Sequence, residues 1–238
     1  MDYCLYPDDG CASGLTEQVP GCCCLPSPIL VDLEGNNFDL TDALGGVRFD
    51  IGGDGRLDQV AWTAPGSDDA WLVLDRNGNG QIDNGRELFG NATPLANGSY
   101  AEHGFEALAE YDRPAQGGNG DGFIDAQDGI YSSVRLWQDF NHNGISEANE
   151  LFTLSGMQVA RISLDYRESR HQDRHGNVFR YRAKVYRQQD SPAHNRFASD
   201  VLLRVTSWAG SRSGVSEQIT GQEAKTSHRK QTTRSDTG

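Results

Sequence analysis

Lysine is absent from residues 29–150 of this 238-residue chain, where six arginines stand against 22 aspartates and glutamates. The net charge of that segment is therefore −16, compared with −13 for the whole chain. A compact segment this acidic repels itself unless cations neutralise it. Nucleic-acid binding depends on clustered Lys and Arg, so we expect no nucleic-acid partner for this part of the chain.

Long apolar runs are missing as well. No stretch approaches the roughly 20 apolar residues that cross a membrane, so we expect no membrane span. No basic segment followed by an apolar one indicates a signal peptide at the N-terminus. The chain has five cysteines, all before residue 25: Cys4, Cys11, Cys22, Cys23 and Cys24. An odd number of cysteines cannot pair completely within one chain, and their spacing is not that of a zinc site.

Catalytic signatures are also absent. The chain has no Gly-x-Ser-x-Gly elbow, no His-Glu-x-x-His zinc helix and no Gly-x-x-x-x-Gly-Lys phosphate loop. His171 and His175 are four residues apart, but they flank a predicted turn, so a solvated turn is favoured over a metal site. We therefore expect a protein that is not an enzyme. The aromatic side chains in apolar contexts are expected in the core: Trp62, Trp71 and Trp137.

The sequence does contain many short apolar runs separated by Asp, Asn and Gly. A hydrophobic content of 36% and 28 glycines indicate a loop-rich fold. Apolar spacing predicts helices at residues 104–111 and 147–154. Strands are predicted at residues 60–63 and 71–74, joined by a turn, and at residues 197–205. We therefore predict an α+β fold, a small mixed domain of short helices and β-hairpins organised around EF-hand-like calcium loops.

Beyond Met157 the apolar period falls to two. Alternation over residues 160–166 and 179–185, with a turn at residues 175–177, predicts a β-hairpin with one core face and one basic face. The arginines of the basic face would either dock an acidic partner or neutralise the acidic half of the chain: Arg161, Arg167, Arg180 and Arg182. The predicted organisation is a Cys/Pro-rich leader, a calcium-binding module, a basic β extension packed on that module and a disordered tail, at residues 1–28, 29–168, 169–207 and 208–238.

Residues 139–150 fit the twelve-residue register of an EF-hand calcium loop. Ca²⁺ takes six to eight oxygens at about 2.3–2.6 Å, and alternate residues of a tight loop direct short polar side chains at one centre. Gly144 stands where the loop turns sharply, and Ser146 departs from the usual branched apolar residue. The predicted ligands, one of them through its backbone carbonyl, are Asp139, Asn141, Asn143, Ile145, Glu147 and Glu150.

Residues 75–87 form a second such loop, in which the last acid is displaced by one residue, so that a bulge is expected at Gly85. Its predicted ligands are Asp75, Asn77, Asn79, Gln81, Asp83 and Glu87.

A third loop has Gly117 where the first ligand belongs. Asp112 can replace it if residues 113–116 loop out, and the predicted ligands are Asp112, Asn119, Asp121, Phe123, Asp125 and Asp128.

Two further stretches are weaker candidates for a calcium loop. The first has three acids at the right spacing: Asp50, Asp54 and Asp58. The weakest has only alternating oxygens: Asp32, Glu34 and Asn36. One such stretch alone is often a solvated turn, because Asp, Asn and Gly also favour turns. Three near-complete copies between residues 75 and 150 favour Ca²⁺ binding. Mg²⁺ is the alternative, although it keeps more of its waters.

Several of these stretches occur together in one known family. The stretches at residues 32–36, 49–55, 74–90, 104–108 and 136–139, taken in order, resemble the calcium-responsive self-processing module of bacterial repeat-in-toxin (RTX) exoproteins of the FrpC type. The resemblance covers about residues 28–167. It implies a secreted or surface-associated bacterial protein with a calcium-organised mixed α/β fold.

In that family, calcium triggers cleavage of an Asp-Pro bond at the edge of the module. The matching edge here is Ser27-Pro28, and a serine has no carboxylate to attack its own peptide bond. None of the eight prolines follows an aspartate. The leading hypothesis is therefore a non-catalytic calcium-binding module. The alternative is an autoprocessing module that has lost or changed its scissile bond.

Overall fold

The computed structural model describes residues 27–188 and 196–206. The predicted leader, apart from Ser27 and Pro28, and the predicted disordered tail lie outside the described residues. Twelve strands are present in the described part of the chain, and every pairing between them is antiparallel. They are β1 (Ile29–Val31), β2 (Val47–Phe49), β3 (Asp58–Val60), β4 (Ala70–Val73), β5 (Phe123–Asp125), β6 (Arg135–Trp137), β7 (Leu151–Thr153), β8 (Val159–Ser163), β9 (Arg167–Gln172), β10 (Val178–Arg187), β11 (Arg196–Leu202) and β12 (Val205–Thr206).

The α+β prediction is wrong. Helical structure in the described residues amounts to α1 (Gly104–Ala109) and three single-turn 3₁₀ helices, at Gly85–Glu87, Glu110–Asp112 and Pro114–Gln116. The helix predicted at residues 104–111 is confirmed by α1 and the turn that follows it. The helix predicted at residues 147–154 is wrong, because this segment enters β7 and pairs with β6. An EF-hand requires a helix on each side of its loop, and these loops have no such pair of helices.

Nine strands form one sheet, in the order β5-β8-β10-β11-β1-β4-β6-β7, with β9 also paired to β10. A second sheet has the order β12-β3-β2. The predicted strands at residues 60–63 and 71–74 therefore lie in different sheets. In the predicted hairpin, β10 pairs first with β9 across the turn, and only its far end pairs with β8, where Val185 faces Ile162.

The central strands of the large sheet are buried on both faces. Successive side chains of a strand point to opposite faces, so Ile29 packs with Phe105 of α1, whereas Leu30 packs with the tryptophans. The second face is covered by the small sheet. The predicted placement of the three tryptophans in the core is confirmed, because Trp62 lies 4.8 Å from Trp71 and 5.3 Å from Trp137 between ring centroids.

Three of the four arginines of the predicted basic face contact other side chains of the molecule. Arg161 lies over the rings of Phe123 and Tyr186, and Arg182 lies over Phe197. Arg180 forms an ion pair with the buried Asp200 at 3.0 Å. Within the described residues, no helix has the length and apolar character needed to cross a membrane.

Candidate metal centre

The acidic loops connect strands or follow short helical turns. The Asp50 loop (residues 50–58) joins β2 to β3, and the Asp139 loop (residues 139–150) joins β6 to β7. The Asp75 loop (residues 75–87) follows β4, and the Asp112 loop (residues 112–128) runs from the end of the α1 segment past β5. The antiparallel strands thus hold both ends of two loops close together.

The first aspartate of each loop is a hydrogen-bond acceptor for the backbone of its own loop. Asp75 accepts from the N–H groups of Gly78, Asn79 and Gly80 at 2.7–3.2 Å. Gly78 and Gly80 have φ of 75° and 84°, a conformation that glycine adopts without strain. The loop therefore turns around its first carboxylate.

The same arrangement recurs in the Asp139 and Asp50 loops. Asp139 accepts from Asn143 N–H at 3.0 Å and from Gly144 N–H at 2.8 Å. Asp50 accepts from Asp54 N–H at 3.0 Å and from Gly55 N–H at 2.9 Å. In both loops the donors lie four and five residues after the acceptor.

In the Asp112 loop the first carboxylate reaches across an insertion, as the sequence predicts. Asp112 accepts from the N–H groups of Gly120 and Gly122 at 2.9 and 3.0 Å. Between Asp112 and Gly120 the chain forms the 3₁₀ turn Pro114–Gln116 and reverses at Gly117, which has φ of 87°. Asp112 thus has the hydrogen-bonding role that the first aspartate has in the other loops.

The last acid of three loops is buried and closes the loop from the other side. Glu87 accepts from Arg76 N–H at 3.0 Å and from Asp83 N–H at 2.7 Å. The extra residue that displaces Glu87 along the chain is accommodated by the 3₁₀ turn that begins at Gly85.

Glu150 and Asp128 act in the same way. Glu150 accepts from Phe140 N–H at 3.0 Å, and Asp128 accepts from Asp125 N–H at 2.8 Å. Burial raises the pKa of both carboxyls above its usual range, and for Glu150 a hydrogen bond with Glu147 adds to the effect. In the Asp50 loop, burial and then the charges of Asp54 and Asp50 raise the pKa of Asp58 from 3.8 to about 6.

The side chains between these acids are exposed and converge on the acid at the ninth position. Asn77 and Asn79 each donate a side-chain N–H to Asp83 at 2.8 Å. In the Asp139 loop, Asn141 and Asn143 both donate to Glu147, at 3.2 and 2.9 Å. Amide groups that turn over in place would present their oxygens to a cation at the same point.

Other predicted ligands are not brought together in this way. The side chains of Gln81 and Ile145 are exposed, Ile145 to 57%. Both residues stand at the seventh position of their loops, where the backbone carbonyl oxygen is the expected ligand. In the Asp112 loop, Asn119 donates to Asp121 at 3.0 Å rather than to Asp125. Phe123 begins β5 and packs under Arg161.

The unusual Ser146 has a clear role. Its hydroxyl accepts a 2.6 Å hydrogen bond from the N–H of Ile82. Ile82 and Ser146 occupy the eighth position of the Asp75 and Asp139 loops, so this bond joins the two loops at equivalent points.

A buried polar network, which the sequence did not suggest, surrounds the edge that matches the family's cleavage site. Ser27 is 1% exposed, its N–H donates to Asn91 at 3.0 Å, and its hydroxyl accepts from Arg180 at 2.8 Å. Asp200 is fully buried and accepts from Arg180 and from Gly104 N–H, at 3.0 and 2.7 Å. No spacing in the sequence links these residues, because strand pairing alone brings β11 beside β1.

Comparison with known proteins supplies the family. The SPM domain matches residues 29–204, which is most of the chain and covers both the loops and the strands that hold them. The chain belongs to the SPM domain family. The iron-regulated protein FrpA of Neisseria meningitidis serogroup C is 37% identical over 200 residues, which are 83% of this chain and 17% of that protein. The predicted resemblance to FrpC-type proteins is thus confirmed at the level of the family. This SPM domain spans less than a fifth of the relative's length.

Proposed function

We propose that this SPM domain binds calcium through its Asp/Asn/Gly loops and has no catalytic activity of its own. The observation that carries the proposal is the arrangement shared by three loops. In each, a first carboxylate and a buried last carboxylate accept backbone N–H groups from opposite sides of one turn.

Hydrogen-bonding capacity supports this proposal. A carboxylate has about four lone-pair sites, and Asp139 uses two of them within its loop. The remaining oxygens are hard ligands of the kind that Ca²⁺ prefers. The neighbouring guanidinium of Arg76 binds elsewhere, to the Arg86 carbonyl and the Tyr111 hydroxyl, so it does not neutralise Asp75.

The amide-rich loops favour moderate affinity. Asn in place of Asp lowers the ligand charge, which suggests a Kd on the order of 10⁻⁴–10⁻³ M, as in extracellular modules. At ten times such a Kd, one site adds roughly 1.4 kcal/mol of stability. A secreted or cell-surface bacterial setting, implied by the family resemblance, would supply calcium at that concentration.

Calorimetric titration of the metal-free full chain with Ca²⁺ tests the proposal. We expect binding in the millimolar range or tighter, and Glu150→Gln and Glu87→Gln should each remove or weaken one site by about tenfold. Asp165→Asn, at an exposed position outside the loops, is the matched control. A wild-type protein that gives no heat up to 10 mM Ca²⁺ and melts at the same temperature with and without the ion would exclude calcium binding, and unchanged titrations of both variants would exclude these loops.

The alternative is autoprocessing at the changed edge, and the buried network around Ser27 is the observation that favours it. The Ser27 hydroxyl is in contact with Arg180 and lies beside Asp200. Burial raises the pKa of Asp200, and the charge of Arg180 opposes this rise more than the hydrogen bond with Ser27 does. Intact mass after prolonged incubation in 10 mM Ca²⁺ separates the two functions. A single uncut species agrees with a binding module, whereas fragments ending at Ser27 would establish cleavage.

A further inference from the structure

Three aspartates lie together where β1 and β4 meet, outside the four loops described above. Asp32 directly follows β1, and Asp68 and Asp69 directly precede β4. These strands are antiparallel neighbours in which Val31 faces Ala70, so the end of one lies beside the start of the other. One carboxylate oxygen from each aspartate lies within 4.8 Å of the other two. Within the described residues, no predicted loop brings three carboxylates this close.

Two of these carboxylates organise the surrounding chain. Asp32 accepts from the N–H groups of residues 35–37 at 2.7–3.2 Å. Asp68 accepts from Glu34 N–H and from the Asn36 amide, both at 2.8 Å. Each carboxylate still has unused lone pairs, and one oxygen of Asp32 lies within 4.8 Å of one oxygen of Asp68.

Asp69 has a buried carboxylate oxygen without a hydrogen-bond partner, an observation that does not depend on the clustering of the three aspartates. It is 1% exposed, and its Oδ2 accepts from Asp39 N–H and from the Ser67 hydroxyl, at 2.8 and 2.7 Å. Its Oδ1 is buried and has no hydrogen-bond partner. Leaving a buried carboxylate oxygen unsatisfied is strongly unfavourable, and such atoms in folded proteins call for a missing partner.

Nearby positive charge does not provide that partner. The ion pairs between described residues are formed by Glu34, Glu110 and Asp200, and not by these three aspartates. A proton donor is also missing at Oδ1. What would satisfy this oxygen and also relieve the repulsion among three carboxylates is a cation.

We propose that Asp32, Asp68 and Asp69 bind a Ca²⁺ ion that fastens the turn after β1 to the turn before β4. The ligand set consists of carboxylate oxygens, which select hard cations over zinc or copper. Two of the three ligands are almost fully buried, which favours Ca²⁺ over Mg²⁺, because Mg²⁺ keeps several of its waters. The argument for this site depends on the unsatisfied Oδ1 of Asp69 and not on the loop geometry. An experiment can therefore reject calcium binding here without rejecting calcium binding by the loops.

Asp69→Asn in the full chain is the decisive variant. The asparagine oxygen can keep the bonds from Asp39 and Ser67, while its NH₂ group replaces Oδ1 and donates to the neighbouring carboxylates. In chelator the variant should therefore melt at a higher temperature than the wild type. In 10 mM Ca²⁺ the order should reverse, and calorimetric titration should show one fewer Ca²⁺ per chain.

Asp68→Asn and Asp139→Asn complete the test. Asp68 is only half-buried, so its variant avoids damage to the core, and it should also lose one Ca²⁺. Asp139→Asn should remove a different Ca²⁺, and the Asp69/Asp139 double variant should lose both. Wild-type stoichiometry in both Asp68→Asn and Asp69→Asn would overturn this site while leaving the loops in place. A variant of Asp69 that is less stable than the wild type in chelator as well would mean a purely structural role and would also overturn it.

Discussion

The acidic loops and the strands β9, β10 and β11 are held together by different kinds of hydrogen bond. In the loops, anionic side chains bind backbone N–H groups, as Asp75 and Asp139 do. In the strands, backbone binds backbone along a ladder from Val178 to Val185. Ladder bonds carry no net charge, whereas each loop gathers several carboxylates, whose negative charges repel one another. The stability of the loops should therefore depend on cations more than that of the strands.

Removing the charge pair between Arg180 and Asp200 of the strand region should have the largest effect. Asp200→Ala leaves Arg180 without its partner and Gly104 N–H without its acceptor. Breaking a buried pair in this way costs roughly 3–5 kcal/mol, and we expect about 3 because Arg180 is partly exposed. Urea unfolding measures the change, with Asp165→Ala as the exposed control. A loss under about 1 kcal/mol would show that the pair does not stabilise this region.

His103 precedes α1 and packs against Tyr181 of β10, with 4.5 Å between ring centroids, and it should make this part of the fold sensitive to acid. Burial, and then the charge of Arg180, lower the pKa of His103 from 6.5 to about 4. The unfolded chain takes up a proton near pH 6.5, but the folded chain does so only near pH 4, so lowering the pH between these values favours unfolding. We expect a loss of about 2–3 kcal/mol across this window.

His103→Asn should remove that loss. Asparagine is a good N-cap and can replace the bond that His103 Nδ1 accepts from Glu106 N–H at the start of α1. Urea unfolding of wild type and variant at several pH values from 7 to 4 measures the difference, and His175→Asn at the hairpin turn is the control. Parallel curves for wild type and His103→Asn would contradict the shifted pKa.

Asp58 should have the opposite pH dependence and a smaller effect. Its pKa is raised, so between pH 6 and 3.8 the folded chain holds a proton that the unfolded chain has lost, and lowering the pH stabilises the fold. In chelator at pH 8, Asp58→Asn should therefore be more stable than the wild type, by about 1 kcal/mol after allowance for solvent screening. Thermal melts at pH 8 and pH 4 measure the gap, which should close at the lower pH. A destabilised variant at pH 8 would mean that Asp58 is not repelled by its loop.

The sequence predicted those elements whose signal is local. Alternation found β10, and the spacing of Phe105 and Leu108 found α1. The Asp112 loop could be predicted because it departs from the EF-hand pattern at one ligand position, where Gly117 stands in place of the first acid. β7 was mistaken for helix because its segment contains good helix formers, while its pairing with β6 is a tertiary contact that local propensity cannot reveal.

The site residues that were missed are distant in sequence. Asp68 and Asp69 look like turn residues, and they lie 36 and 37 residues after Asp32. Only the pairing of β1 with β4 brings them together. The Ser27, Arg180 and Asp200 network likewise depends on the order of strands in the large sheet, which no spacing in the chain records.

Amide hydrogen exchange of the full chain, in chelator and in 10 mM Ca²⁺, tests the comparison most directly. Calcium binding to the loops predicts at least tenfold slower exchange at residues 78–80, 120–125 and 143–147, with little change in β9, β10 and β11. Equal exchange of the loop amides under the two conditions would contradict the central claim that these carboxylates are arranged around calcium.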